Sequence, residues 1–266
     1  MQRKKTETES AATAANRQEK IKALLDLSHK LSDPVRPLAI LGEGNASARL
    51  TSETFFVKAS GCSLGTLDES GIVECRSKTV LSLLEKSSLS DAEIDGTLLD
   101  ARLDAGAKKP SVEALFHAWL LSLPGIEFAG HTHAPSVLSV LCSPRAREFA
   151  EKRIFPDEIV CCDVASVFIP YTDPGLKLAQ AVREKTEKFI RDVGRAPRVI
   201  LMENHGIITL GRSIEAVLSA MLMAEKTAGV WLGAAALGGP NFMTPEHVER
   251  ISGRPDEAVR RKMLKL

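Results

Sequence analysis

The stretch from residue 111 to residue 141 constrains the fold most, because it predicts a helix, a short strand and a second helix in quick succession. Ser111 is a favourable N-cap for a helix with an apolar face, and Pro124-Gly125 ends that helix. Phe128 to His133 is a strand candidate, and Pro135 stands in the first turn of the next helix. Helix and strand candidates continue to alternate along the chain, which predicts an α/β fold.

The remaining predicted elements follow the same alternation. Helices are predicted over 17–31, 77–86, 176–192 and 213–236 and again from 245, and strands over 55–57, 159–169, 199–202 and 207–210. Residues 87–110 are polar and contain glycine, so we expect a long connection there. Residues 1–16 lack periodicity and are predicted to be a disordered tail. No linker or internal repeat interrupts residues 17–266, which are therefore predicted to form one domain.

Charge and composition exclude several classes of protein. Lys plus Arg is 35 and Asp plus Glu is 34, a net charge of +1, whereas a general nucleic-acid-binding protein needs a basic surplus. No apolar run approaches the roughly 18 residues of a membrane span, and the first residues lack the apolar core of a signal peptide. The five cysteines are an odd number without a CxxC motif, which predicts reduced thiols in a cytoplasmic protein. We interpret the adjacent Cys161 and Cys162 as buried strand residues.

Three histidines are candidate metal ligands. His131 and His133 stand two residues apart on the predicted strand, so their imidazoles point to one face and can share an ion. Such pairs are also common without a metal. His205 lies in Asn204-His205-Gly206 between two strand candidates, where it can alternatively be a turn residue beside a glycine of positive φ. Three histidines that leave one coordination position open are typical of catalytic zinc.

A carboxylate and several turns accompany these histidines. Glu113 lies in the first turn of the helix predicted from Ser111, where it can either stabilise the helix dipole or point into the site as a base. The sequence favours neither role. The turns at 42–47 and 60–61, together with Ser111, offer N–H groups and hydroxyls to an anion. This signal is weak by itself, because the signature of a P-loop is missing.

The order of these pieces resembles the class II aldolase/adducin family over about residues 20–235. The matching motifs are G-N-x-S at Gly44–Ser47, K-x-S-G at Lys58–Gly61, K-P-S-x-E at Lys109–Glu113, H-T-H at 131–133 and N-H-G at 204–206. The resemblance implies a single-domain, three-layer α/β/α fold around a mixed, largely antiparallel sheet. It also implies a homotetramer with the active site near a subunit interface.

The resemblance further implies a role for each candidate residue. The implied site consists of His131, His133 and His205 as metal ligands, Glu113 as the catalytic acid or base, and Asn45, Ser60, Gly61 and Ser111 around the substrate phosphate. Zinc is the preferred metal, with manganese and cobalt as alternatives. Many relatives carry a hydroxyl at the position of Val112, so we expect one phosphate contact fewer here and a gain from Val112→Ser if that position faces the anion.

The activity that follows from this resemblance is metal-dependent aldol cleavage of a ketose phosphate, and its reverse, through a metal-stabilised enediolate. The same site could instead serve a sugar-acid-phosphate decarboxylase or a pentulose-phosphate 4-epimerase. Two other classes stay open, a non-enzymatic adducin-like protein and a three-histidine hydrolase that uses metal hydroxide. The expected partner is a small sugar phosphate rather than a nucleic acid or a membrane. The sugar, the physiological direction and the second proton donor are not specified by the sequence.

Overall fold

The computed structural model describes the backbone from Gln2 to Leu266 and the side chains from Ala14 onward. Seven strands form one sheet in the spatial order β3-β2-β1-β4-β7-β6-β5. The strands are β1 (Asn45–Arg49), β2 (Thr54–Lys58), β3 (Ile72–Arg76), β4 (Phe128–Thr132), β5 (Val167–Ile169), β6 (Val199–Met202) and β7 (Gly206–Gly211). Neighbouring strands pair antiparallel except β5 and β6, which are parallel. The mixed, largely antiparallel sheet is thereby confirmed.

Helices cover both faces of this sheet. They are α1 (Gln2–Leu31), α2 (Ser77–Leu81), α3 (Asp91–Ala101), α4 (Ala114–Ser122), α5 (Pro135–Leu141), α6 (Ala146–Glu151), α7 (Pro156–Cys162), α8 (Leu176–Val193), α9 (Ile214–Ala235), α10 (Pro245–Ser252) and α11 (Pro255–Met263). Helix α1 begins upstream of Arg17, where the apolar periodicity predicts its start. The side chains of residues 1–13 lie outside the described residues, so the disordered tail over 1–16 stays a prediction.

The strands bury alternate residues on opposite faces, which produces two separate apolar cores. Phe55 and Val57 of β2 pack with helices α2, α3, α4 and α8, whereas Phe56 between them packs with α1 and α9 on the other face. Successive side chains of a strand point to opposite faces, so one sheet can hold both cores apart. The three-layer α/β/α architecture is confirmed. Among the residues whose side chains are described, no helix has the length and apolar character needed to cross a membrane.

The prediction of a long connection over 87–110 is wrong for its middle, where helix α3 spans Asp91–Ala101. Helix α3 begins after Ser90, whose hydroxyl accepts a hydrogen bond from the Glu93 N–H while the Glu93 carboxylate accepts one from the Ser90 N–H. This capping box satisfies backbone donors that would otherwise be unpaired at the helix start. Ile94 and Leu98, one helical turn apart, are buried in the core. Most other residues of this helix are polar, so the narrow apolar face is difficult to recognise in the sequence.

The strand predicted over 159–169 is also wrong for its first half. Helix α7 occupies Pro156–Cys162, and only Val167–Ile169 is strand. Pro156 stands at the start of the helix and acidic residues fill its first turn, as is favourable for a helix N-terminus. The run Ile159 to Cys162 is buried on all sides, so its sequence carries no helical periodicity. Cys161 and Cys162 are therefore buried as predicted, but in a helix.

The strand register brings the candidate residues to one end of the sheet. Asn45 of β1 pairs with His131 of β4, and the neighbouring Thr132 pairs with Ile207 of β7. Strands β1 and β2 pair antiparallel as a hairpin. The segments that precede β1 and follow β2, β4 and β6 therefore meet at the same sheet end. The site lies there.

Candidate metal centre

His131, His133 and His205 converge at this end of the sheet. Each offers one ring nitrogen, and these three nitrogens lie within 4.8 Å of one another. The ring centroids are 5.0 to 5.2 Å apart. His131 is fully buried, whereas the other two rings are partly accessible. An ion at this point could therefore contact all three imidazoles and still meet a ligand from outside.

The orientation of the His131 ring suits metal binding. Its Nδ1 lies 3.0 Å from the carbonyl oxygen of Ile207, so Nδ1–H donates there and Nε2 keeps its lone pair. Within the described part of the chain, Nε2 of His131 and Nε2 of His133 are buried without a hydrogen-bond partner, and Nε2 of His205 lies 3.5 Å from the same Glu113 oxygen as Nε2 of His131 does. Buried polar atoms are rarely left unpaired. A divalent cation that takes neutral imidazole ligands fits this donor set.

The turn that presents His205 differs from its prediction. Asn204 adopts a left-handed conformation with φ of 52°, whereas Gly206 has no positive φ. Gly206 is needed because the strands approach closely there. A Cβ at this position would lie 2.4 Å from the Thr132 carbonyl oxygen and 2.9 Å from Cδ2 of His133. The explanation of Gly206 by positive φ is therefore wrong, and close packing against β4 replaces it.

Glu113 points into the site. It is the residue before α4, and its side chain makes no capping hydrogen bond to that helix. Oε1 lies 3.4 Å from Nε2 of His131 and 3.5 Å from Nε2 of His205. The amide of Asn45 donates a hydrogen bond to Oε2. Of the two roles that the sequence leaves open, the geometry favours the carboxylate within the site.

The surroundings of Glu113 keep its carboxyl ionised. Burial by itself raises the pKa of a carboxyl, but in the metal-free site a protonated His131, together with His205 and the Asn45 amide, outweighs it. A cation on the imidazoles would supply positive charge in place of that proton. The pKa of Glu113 therefore lies well below its usual range. An ionised carboxylate beside three imidazoles can accept a proton from a bound molecule.

The residues predicted to surround an anion do not all lie in direct contact with one another. The amide of Asn45 lies 3.1 Å from the Ser111 hydroxyl, which in turn accepts a hydrogen bond from the Glu113 N–H. Ser60 and Gly61 stand on an exposed turn, where Gly61 has a φ of 76°. The Ser60 N–H donates to the carbonyl of Lys109, so this turn lies beside the segment that leads to Ser111. Asn45, Ser111 and Glu113 thus form one connected group, and the turn flanks it.

Two further charged residues belong to this region. Lys58, from the K-x-S-G motif, is buried, and its ammonium donates hydrogen bonds to the carbonyls of Cys62 and Gly42, at 2.6 and 3.4 Å. It thereby connects the turn that follows β2 with the turn that precedes β1. The carboxylate of Glu43 lies 3.1 Å from Nδ1 of His133. Glu43 is far from His133 in sequence, so no local pattern connects the two.

A family model described as "Class II Aldolase and Adducin N-terminal domain" matches residues 23–232. The curated relative "Uncharacterized oxidoreductase YuxG" of Bacillus subtilis is 27% identical over 184 residues. That match covers 65% of this chain and 24% of the relative. The chain thus spans about a quarter of the length of this relative.

Solved structures share the fold at low sequence identity. The N-terminal class II aldolase domain of a conserved Thermoplasma acidophilum protein superposes with a TM-score of 0.65 at 24% identity, over 80% of this chain and 93% of that one. An L-fuculose 1-phosphate aldolase gives 0.65 at 18% identity, over 88% and 94% of the two chains. Escherichia coli YgbL, named as a candidate aldolase, epimerase or decarboxylase, gives 0.63 at 17%, over 91% and 99%. These similarities support the three-layer fold.

Proposed function

This chain belongs to the class II aldolase and adducin N-terminal domain family, and from that membership and the histidine cluster we propose that it is a divalent-metal-dependent lyase acting on a ketose phosphate. The proposed reaction is the reversible cleavage of a carbon–carbon bond beside a carbonyl group. The observation that carries this proposal is the convergence of three imidazoles on one side of the Glu113 carboxylate. An adducin-like protein without catalysis would need no such arrangement.

We propose that His131, His133 and His205 hold the metal, with zinc preferred over manganese or cobalt. When bound, the metal would supply Lewis-acid stabilisation of negative charge that develops on the oxygens of the substrate. The three imidazoles are neutral ligands, so an ion held by them keeps its full double charge for that task. The accessible side of the cluster supports entry of a substrate there.

Glu113 is proposed as the catalytic acid and base. Its ionised carboxylate would take a proton from the nucleophilic carbon of the substrate when the carbon–carbon bond forms, and would return that proton to the same carbon when the bond breaks. The amide of Asn45 holds Oε2, which leaves Oε1 on the side of the histidines. This contact fixes the direction in which the carboxylate faces. The second proton donor of the reaction has no assignment.

Asn45, Ser60, Gly61 and Ser111 are proposed to bind the substrate phosphate. Ser111 precedes α4, whose positive dipole end favours an anion, and the buried ammonium of Lys58 adds positive charge beneath the same turns. The Asn45 amide already spans Ser111 and Glu113. One residue would thereby couple the phosphate position to the acid–base group.

Assembly and location are proposals as well. We propose a homotetramer with the site near a subunit interface, and a cytoplasmic location. The five cysteines are unpaired among the described residues, which is consistent with a reducing compartment. Sedimentation of the purified protein would measure the oligomeric state directly.

A product screen tests the proposed reaction. Metal-loaded protein is incubated with a panel of ketose phosphates, sugar-acid phosphates and their unphosphorylated forms. Triose phosphate, carbon dioxide and epimeric products are read in parallel. Triose phosphate release from a ketose phosphate is the expected result. Carbon dioxide would identify a decarboxylase and an epimer an epimerase, whereas no turnover of any sugar by metal-loaded protein would contradict an enzymatic function.

A further inference from the structure

The three histidines are supported in three different ways. Nδ1 of His131 donates to a backbone carbonyl, at Ile207. Nδ1 of His133 lies 3.1 Å from Oε2 of Glu43, a carboxylate. Nδ1 of His205 has no partner among the described residues. Glu43 thus contacts the histidine cluster through His133, whereas Glu113 contacts it through His131 and His205.

The position of Glu43 is fixed by its own turn. Its second oxygen, Oε1, accepts a hydrogen bond of 2.7 Å from the N–H of Ile40. The following Gly44 has a φ of 73°, and a Cβ there would lie 2.7 Å from the carbonyl oxygen of His131. The turn therefore packs directly on β4, which contains His131 and ends just before His133. The carboxylate is held between a backbone donor and an imidazole.

This contact determines which nitrogen of His133 can bind an ion. A carboxylate accepts hydrogen bonds and donates none when ionised, so it favours the proton on Nδ1 and the lone pair on Nε2. Nε2 is buried without a partner among the described residues. A carboxylate behind an imidazole ligand also increases the basicity of that ligand and adds negative charge near the cation.

We infer that Glu43 is a positioning residue that fixes His133 as a metal ligand and strengthens the binding of a divalent cation. This inference rests on the proposed metal centre. It assigns a role to Glu43, a residue that lies outside the family motifs found in this sequence. It also makes the turn before β1 part of the metal site as well as of the substrate site.

Glu43→Gln separates this role from a merely structural one. The glutamine oxygen can still accept from the Ile40 N–H, so the turn keeps its hydrogen bond. The amide nitrogen then faces Nδ1 of His133 as a donor and favours the tautomer whose Nε2 carries the proton. That tautomer cannot bind a metal through Nε2. The substitution thus changes the ligand and preserves the shape of the turn.

Glu127→Gln is the matched control. Its side chain is 29% exposed against 28% for Glu43, and its carboxylate likewise has partners, the side chains of Lys20 and Arg49. It is not among the site residues. Both variants remove one negative charge from a half-buried carboxylate. A general effect of removing one negative charge should therefore appear in both variants.

The test measures the Zn²⁺ dissociation constant of the full chain by competition with a chromophoric chelator. We expect Glu43→Gln to weaken binding about 10- to 100-fold and Glu127→Gln to leave it unchanged. The absorption spectrum of the Co²⁺-loaded protein should change in Glu43→Gln alone, and the thermal midpoint of the metal-free proteins reports folding.

Two outcomes separate the inference from the proposed function. Wild-type affinity and an unchanged Co²⁺ spectrum in Glu43→Gln would overturn the inference and leave the metal centre intact. Failure of the wild-type protein to bind Zn²⁺ or Co²⁺ would overturn the metal centre itself. If Glu43→Gln is unfolded without metal, Glu43→Asp serves in its place, because it keeps the charge and should retain more affinity than Glu43→Ala.

Discussion

Oε1 of Glu113 lies 3.4 Å from Nε2 of His131, although Glu113 precedes helix α4 and His131 lies near the end of the central strand β4. Helix α4 packs on the face of the sheet to which His131 points, and this packing brings the carboxylate to the imidazole. The contact joins an ionised acid–base candidate to the fully buried member of the histidine cluster. The chemistry proposed for the site depends on this relationship.

Glu113→Gln should abolish proton transfer without removing the metal. The glutamine keeps the size of the side chain and can keep the contact with Asn45. General acid–base catalysis is typically worth about 10²- to 10⁴-fold, so turnover should fall by that factor. Turnover and metal content are measured on one preparation. Full activity in Glu113→Gln would remove this residue from the catalytic machinery.

Gly206→Ala should damage the metal site through packing. The added Cβ would lie 2.4 Å from the Thr132 carbonyl oxygen and 2.9 Å from a carbon of the His133 ring. Overpacking of this kind costs about 1–3 kcal/mol, and the shift of His133 should lower the metal affinity as well. The control is Gly233→Ala in α9, where a Cβ meets open space and should stabilise by roughly 0.5–1 kcal/mol. Equal metal affinity in the two variants would contradict the role of Gly206.

His117 should make the stability of the metal-free protein depend on pH. It is fully buried against Ser47, and burial lowers its pKa from 6.5 to about 3. Because the folded-state pKa is the lower one, the stabilisation is complete above pH 6.5 and is lost as the pH falls towards 3. The free energy of unfolding should therefore decrease by about 1.4 kcal/mol per pH unit through this residue.

The measurement is urea unfolding with chelator present at about pH 7 and about pH 5, for the wild type and His117→Gln. For each protein, the change in the free energy of unfolding between the two pH values is determined. The difference between the wild type and the variant isolates the contribution of His117 from that of the other titrating groups. We expect a clearly shallower pH dependence in the variant. Identical slopes would show that His117 does not titrate between the folded and unfolded states.

Ser111 and Val112 should respond differently to substitution. Ser111 contacts Asn45 and the Glu113 N–H, so Ser111→Ala should raise the KM for a phosphorylated substrate about 10- to 150-fold. Val112 is partly buried and packs against the apolar core. Val112 thus faces the core rather than the anion, so a serine at this position is not expected to tighten phosphate binding.

Val112→Ser should instead leave KM unchanged and destabilise the fold by about 1 kcal/mol, because the lost apolar surface is only partly buried. Steady-state kinetics with the sugar phosphate measure the KM, and urea unfolding measures the free energy of unfolding. A lower KM in Val112→Ser would restore the expectation that this position faces the anion.

Local patterns in the sequence predicted most of the architecture. The helix from Pro135 and the strands around Gly206 are flanked by clear turn and cap signals. Two kinds of segment were not predicted correctly. Helix α3 has only a narrow apolar face among polar residues, and the run at Ile159 is buried on all sides, so neither shows a clear period.

The site was predictable to the extent that its residues lie in short motifs. His131, His133, His205 and Glu113 converge as the resemblance implies. The role of Glu43 was not predictable, because its contact with His133 joins two segments that are distant in sequence and depends on strand register. Such pairings are tertiary, and a single sequence carries no local signal for them.

The metal content of the purified protein tests the central claim most directly. Wild type, His133→Ala and Glu113→Gln are loaded with Zn²⁺, dialysed against metal-free buffer and analysed for metal per chain, with circular dichroism to verify folding. We predict about one divalent ion per chain in the wild type and in Glu113→Gln, and a large loss in folded His133→Ala, since each imidazole is one of three proposed ligands. Equal metal content in wild type and folded His133→Ala would contradict the three-histidine metal centre.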